Sequence, residues 1–246
     1  VIHLGFANVA RDHQSIDVSS VQQNYDDFAQ IKAKKVLSIG GWDFSTDKST
    51  YSILRDAIEN DYDNFANVVV SFMQQKDHAF LDGFDIDWEY PGEPDIPGIP
   101  SDNSDAGSKY LEFLKAVRLR MDDSKSLSIA IPSSYWYLQH FPIKEISQYV
   151  DYVVFMTYDL HGQWDYSEKY SGGPHVQCHT DLVETEDALR MIIKAGVPKS
   201  KVRVGIANYA RTYKLVDSSC DTVGCEFTGP SSGATPGPDT NTPGIL

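Results

Sequence analysis

"DGFDIDWEYPG" occupies residues 82–92, and how it is read decides the fold. Asp85, Asp87 and Glu89 alternate with Phe84, Ile86 and Trp88. On a strand, residues two apart share a face, so the carboxylates point one way and the bulky apolar groups the other. Asp82 precedes the strand and serves the turn. The apolar face is large enough to be buried against helices. The acidic face cannot be wet if the strand lies inside a parallel sheet, because such sheets are covered on both sides.

The flanking sequence points to such a sheet. Six runs read as strands: Val1–Val9, Lys35–Gly41, Gly83–Tyr90, Ser126–Pro132, Tyr149–Tyr158 and Lys201–Tyr209. Between them, "NYDDFAQIKAK" and "YSILRDAIENDYDNFANVVVSFMQQ" space their apolar residues at three and four, as helices do. "SKYLEFLKAVRLRM" offers Ser108 as an N-cap, and "TDLVETEDALRMIIKAG" ends on Gly196, followed by Pro198. Strand–helix alternation means βαβ units and a parallel sheet. Six consecutive units favour a barrel over an open doubly wound sheet, and no GxGxxG follows the first strand, which counts against a dinucleotide fold. In a barrel the acidic row faces the interior and rises toward the C-terminal mouth, where active sites of such barrels lie.

The bulk numbers narrow the function. A chain of 246 residues is one large domain or two small ones, and 41% hydrophobic residues suffice for a core. With a net charge of −14 and no basic stripe, nucleic acid is excluded as a partner. No apolar run approaches the roughly 18 residues of a membrane span. The three cysteines, Cys178, Cys220 and Cys225, lack zinc spacing. Cys220 and Cys225 lie close together in a Ser, Gly and Thr-rich stretch where a small-loop disulfide fits, and this leans toward an oxidising compartment. The chain starts inside a strand-like "VIHLGFANV" without an initiator Met, so the natural product is expected to begin upstream. From about Asp217 the composition changes, and "SSGATPGPDTNTPGIL" shows no periodicity.

Three enclosed carboxylates cannot all ionise cheaply. Desolvation and mutual repulsion raise at least one pKa, and the protons are shared within the group. An acid that stays protonated near neutral pH is what cleavage of a glycosidic bond requires, and Glu89, outermost, is the natural donor. The competing readings are a wet acidic face or a divalent-metal site. The parallel-sheet pattern argues against the first; the second lacks EF-hand spacing and an interleaved His. Neither metal nor cofactor is expected.

These residues resemble the DxxDxDxE signature of family 18 glycoside hydrolases, the chitinases and their relatives. "SIGGW" (38–42), "MTYDLHGQWD" (156–165) and "VGIANYAR" (204–211) are similar to three further motifs of that family, in order. "IPSSYWYLQHFPI" and "CHTDLVETEDALRMIIKAGVPKSKV" resemble its fungal branch of killer-toxin-subunit type. The resemblance implies an α/β fold, a TIM (β/α)8 barrel without its first and eighth strands. Residues 1–211 would be barrel strands two to seven, and 212–246 the start of an α+β insertion domain. It implies hydrolysis of β-1,4-linked N-acetylglucosamine, with chitin or its oligosaccharides as partner, in a secreted fungal protein. Glu89 would be the acid; Asp87 would orient the substrate's 2-acetamido group, with Asp85 sharing its proton; Tyr158 would hold the acetamido oxygen. Phe6, Trp42, Tyr90, Met156, Asp159, Trp164, Tyr209 and Arg211 would bind substrate, with Tyr135 and Trp136 near the cleft. Asp82, Ser38, Gly40 and Gly41 would be structural. Ala210 stands where Gly is usual. Two alternatives accompany this reading. One is a lectin on the same barrel, which the presence of Glu89 disfavours. The other is a catalytically impaired fragment.

Overall fold

The computed structural model describes residues 1–167, 172–229 and 234–246. Its strands are β1 (Ile2–Val9), β2 (Ile16–Asp17), β3 (Lys35–Gly40), β4 (Gly83–Asp87), β5 (Ser126–Pro132), β6 (Tyr152–Met156) and β7 (Val202–Val204). The helices are α1 (Gln22–Gln30), α2 (Trp42–Thr46), α3 (Tyr51–Gln74), α4 (Ala106–Arg120), α5 (Tyr135–Leu138), α6 (Ile143–Ile146) and α7 (Leu182–Lys194). They form a seven-stranded sheet in the order β2-β1-β3-β4-β5-β6-β7. β1 pairs parallel with β3, β3 with β4 and β4 with β5, as consecutive βαβ units require. β2 is a two-residue antiparallel addition to β1 and has no counterpart in the sequence reading.

β4 shows why the alternating stretch folds as it does. Phe84 meets Phe72 of α3 edge-on at 6.3 Å, and Trp88 meets Tyr110 of α4 at 5.3 Å. The Tyr110 hydroxyl donates to the Ile86 carbonyl. Phe65 of α3 stacks on Phe113 of α4 at 5.0 Å, closing the helical layer over the strand. Asp82 fastens the foot of three strands. Its carboxylate accepts the Lys35 N–H, its own N–H donates to the Lys35 carbonyl, and its carbonyl accepts from Ser126.

Several expected boundaries shift. β4 ends at Asp87 rather than Tyr90, and β3 ends at Gly40, because Gly41 N–H takes the Asp87 carbonyl and closes the ladder there. β6 starts at Tyr152 rather than Tyr149, since the N–H groups of Tyr149 and Val150 complete the last turn of α6. β7 stops at Val204 rather than Tyr209, as the Gly205 carbonyl accepts from the Thr157 hydroxyl. Ser108 is not the cap of α4, which begins at Ala106 after Asp105. α3 runs as one segment broken by non-helical dihedrals at Asp61. At α7, Asp181 accepts from the N–H groups of Val183 and Glu184, and Gly196 adopts φ 106° past its end.

The described chain divides into two compact units, Val1–Phe155 with Ile192–Arg203, and Met156–Met191 with Val204–Leu246. In the second, Phe227 is buried against Tyr213 and Tyr166, and Cys220 is bonded to Cys225. Ala210 and Thr212 make backbone hydrogen bonds with Gly244 and Leu246. Of the aperiodic "SSGATPGPDTNTPGIL", residues 231–233 lie outside the described residues. Among the described residues, no helix is long and apolar enough to cross a membrane.

In the first unit, Arg55 of α3 is buried with Glu93 and Asp102, and Glu59 lies one helical turn along. The pKa of Glu59 is pushed from the ordinary 4.5 up to about 7, by burial first and then by its hydrogen bond with Asp102. The folded chain therefore holds a proton that the unfolded chain has already released between those two values. This sets the sign: stability falls as pH rises from about 4.5 to about 7 and stays lower above. Glu59→Gln is expected to remove that part of the pH dependence. Its urea midpoint, compared with that of the parent at pH 5 and pH 8, should improve relative to the parent at the higher pH.

Candidate active site

The site begins with register. Ser38 on β3, Asp85 on β4 and Ser128 on β5 are direct partners across the parallel ladder. All three side chains therefore emerge on the same face. The Ser38 hydroxyl donates to Asp85 Oδ2 at 2.9 Å and the Ser128 hydroxyl to Oδ1 at 2.5 Å. His3 on β1 lies 3.2 Å from Ser38 Oγ through Nδ1 and 2.7 Å from the Tyr152 hydroxyl through Nε2. The floor of the acidic row is thus a polar network drawn from β1, β3, β4, β5 and β6.

Asp85, Asp87 and Glu89 are 3%, 6% and 8% exposed, so the row is enclosed throughout. Burial pushes the Asp87 carboxyl well above the usual carboxylate range, and the neighbouring charges of Glu89 and Asp85 add to the shift. Among the described residues, Asp87 Oδ1 is buried without a hydrogen-bond partner. An orphaned buried acceptor costs stability and is uncommon in folded proteins. Glu89 has left the ladder; its N–H donates to the Ser45 hydroxyl of α2 at 3.2 Å. The Tyr90 phenol is raised well above its ordinary pKa, by burial and then by the charge of Glu89, whose carboxyl it also hydrogen-bonds. Asp85 on its serine supports, Asp87 with its open oxygen and Glu89 therefore follow one another at every second position of one strand and its extension.

"SIGGW" is explained by contact. Gly40 has φ 99°, and a Cβ there would lie 2.2 Å from the Asp87 carbonyl oxygen. Gly41 has φ 83°, and a Cβ there would meet the Phe6 ring at 2.9 Å. The two glycines let β3 end against the acidic strand and start α2 with Trp42. Phe6 and Trp42 are both exposed aromatics. Trp42 meets Tyr90 edge-on at 6.4 Å, and Tyr90 stacks on Tyr137 at 4.6 Å. Trp136 is half exposed, its indole N–H donating to Asp95, whereas Tyr135 faces solvent.

Within the second unit the remaining expected residues gather around one ion pair. Arg211 grips Asp159: its Nε donates to Oδ1 at 2.7 Å, and its Nη2 is ion-paired with Oδ2 at 2.7 Å. Burial opposes the charge on Asp159, but Arg211, Tyr209 and His179 hold its pKa below the usual range. The Arg211 guanidinium lies over Trp164 at 4.9 Å and over Tyr209 at 5.5 Å. Tyr158 meets Tyr209 edge-on at 6.2 Å. Met156 ends β6.

Sequence reasoning passed over Ser128, His3, Tyr152, Tyr137, Asp95 and His179. The first three carried a usable signal. Each is a polar group in an otherwise apolar strand, and such a residue needs a buried partner.

The profile of "Glycosyl hydrolases family 18" matches residues 1–245. The chain is 48% identical over 249 aligned positions to "Killer toxin subunits alpha/beta" of Kluyveromyces lactis, covering 100% of the chain and 21% of that protein. It is 44% identical over 241 positions to "Secreted chitinase LysM12" of Penicillium expansum, covering 93% of the chain and 16% of that protein. It thus spans 21% and 16% of the length of these two relatives. Its backbone superposes on the crystal structure of Ostrinia furnacalis Group II chitinase catalytic domain 2 with a TM-score of 0.82 at 22% identity, covering 100% of the chain and 65% of that structure.

The close approach at Gly40 gives a direct test. Gly40→Ala would force a Cβ into the Asp87 carbonyl from a left-handed backbone conformation. We expect a loss of more than about 2 kcal/mol in urea unfolding, since the conformation alone costs an L-residue about 1–2 kcal/mol.

Proposed function

The chain belongs to the glycosyl hydrolases of family 18, and on that premise we propose that it hydrolyses β-1,4 linkages between N-acetylglucosamine units of chitin, with retention and with help from the substrate itself. Glu89 gives its proton to the glycosidic oxygen as the C1–O bond breaks. The 2-acetamido carbonyl oxygen forms the new bond to C1, giving an oxazolinium ion. Water, deprotonated by Glu89, then opens that ring with net retention.

The observation that carries this reading is the buried, unpartnered Oδ1 of Asp87, next in the row to Glu89. An acetamido N–H is a donor that would satisfy it. A carboxyl that burial and the charges of Glu89 and Asp85 bias toward the protonated state can take up charge as the cationic ring develops. Ser38 and Ser128 hold Asp85 beneath it as a fixed hydrogen-bonded support. No protein nucleophile is needed, because the acetamido oxygen supplies the electron pair. Tyr158 is assigned to the acetamido oxygen on its motif position alone. Phe6, Trp42 and Tyr90 offer aromatic surface for sugar rings. The substrate class follows the relative named as a chitinase, and a place outside the cell follows its description as secreted.

Two measurements test the proposal in the protein that carries this chain. Glu89→Gln should lower turnover of an N-acetylglucosamine hexamer by on the order of 10³-fold while leaving its affinity nearly unchanged. Turnover near the parent's would remove Glu89 from the role of acid. The de-N-acetylated oligomer should go uncut by the parent, since the attacking oxygen is gone; its cleavage at a comparable rate would rule out substrate assistance.

A further inference from the structure

Arg55 lies on α3, outside the acidic row, and its guanidinium organises the loop 91–105. It donates to Glu93 Oε1 at 2.9 Å and to the Pro100 carbonyl at 3.0 Å, and its Nε lies 3.2 Å from Asp102 Oδ1. The other Glu93 oxygen accepts the N–H groups of Asp95 and Ile96 at 3.1 and 2.9 Å. Asp102 Oδ2 accepts from Gly92, and Asp102 N–H donates to the Glu93 carbonyl. Both acids are essentially inaccessible and Arg55 is nearly so.

Burying charges in this way is seldom the most stable means of packing a loop on a helix. What a guanidinium adds is direction, because its donors leave in a fixed plane. The braced turn displays Asp95, whose carboxylate accepts the Trp136 indole N–H at 3.0 Å and the Tyr137 hydroxyl at 3.4 Å. Tyr137 is the ring stacked on Tyr90, the residue after Glu89. Trp136 is 52% exposed, so core packing alone does not fix its orientation.

We propose that Arg55, acting through Glu93 and Asp95, is a positioning residue that holds Trp136 and Tyr137 as a preset aromatic platform for the sugar chain beside Glu89. This rests on the reading that the site acts on an N-acetylglucosamine polymer. Fixing the rings beforehand removes part of the ordering cost of binding, so the platform governs how tightly a long substrate is held rather than how fast the bond breaks.

The test uses Asp95→Ala and Arg55→Lys, with Glu93→Gln as the second variant should Arg55→Lys fail to fold. With the hexamer, KM is expected to rise about fivefold, the scale of one lost hydrogen bond, while kcat stays within about twofold. In proton–nitrogen NMR, the indole N–H resonance assigned to Trp136 by Trp136→Phe should move upfield in each variant. Asp95→Asn, which keeps one acceptor oxygen, should restore much of both. An unmoved indole resonance with unchanged KM, or a fall in kcat without a rise in KM, overturns the proposal. If the parent leaves the hexamer uncut, the hydrolytic reading fails. Positioning is then decided by the indole resonance together with hexamer affinity by calorimetry.

Discussion

Asp85 is a buried carboxylate with a serine hydroxyl on either side, and much of the first unit follows from keeping it so. A carboxylate only accepts, and on burial it loses its hydrogen bonds to water, so donors must be provided inside. Ser38 and Ser128 provide them from the two flanking strands, at the positions directly opposite in the ladder. A slip of one residue in either strand would set Leu37 or Ile39, or Leu127 or Ile129, against Asp85 and reverse that strand's faces. The hydroxyls therefore fix the register of three strands. That register places Asp87 one step higher, where Gly40 alone leaves room for its carbonyl, and releases Glu89 from the sheet to meet Ser45.

The chain buries acids in two ways, with different consequences. In the strand row, neutral hydroxyls support Asp85 while Asp87 keeps an open oxygen and a raised pKa. Around the 91–105 loop, a guanidinium meets Glu93 and Asp102 directly, and backbone N–H groups take up more of their oxygens. The first arrangement keeps capacity to exchange a proton and to accept a donor from outside. The second gives a fixed shape. The two meet at Tyr90, which hydrogen-bonds Glu89 and stacks on the ring that Asp95 helps to hold.

The acidic row, the order of the strands and the parallel pairing of the first four expected ones were legible in the sequence because period-two alternation and apolar spacing are local properties of a chain. The glycine pair was legible as a need for close approach, though not what approaches: Asp87 in one case, Phe6 in the other. Strand ends were less legible. Whether Tyr149 or Gly205 joins a ladder depends on what else claims its hydrogen-bonding groups, and those partners were the last turn of α6 and the Thr157 hydroxyl. The cap of α4 was misplaced for a similar reason: the helix starts at Ala106, after an Asp105 that makes no side-chain cap bond.

The sequence by itself determined which residue types line the strand, that carboxylates and large apolar groups would part to opposite faces, and that helices would cover the apolar one. Its motifs marked Glu89, Asp87 and Asp85, and grouped Tyr158, Asp159, Trp164, Tyr209 and Arg211 by name though not by contact. Only the tertiary structure decided that Asp85 rests between two hydroxyls, that Asp87 is left with an open oxygen, and that Arg211 closes on Asp159 through both carboxylate oxygens. The reason is one of range. Alternation is written in neighbouring residues, whereas hydrogen-bond satisfaction is settled between groups such as Ser128 and Asp85, which lie 43 positions apart in sequence and meet only when the sheet forms.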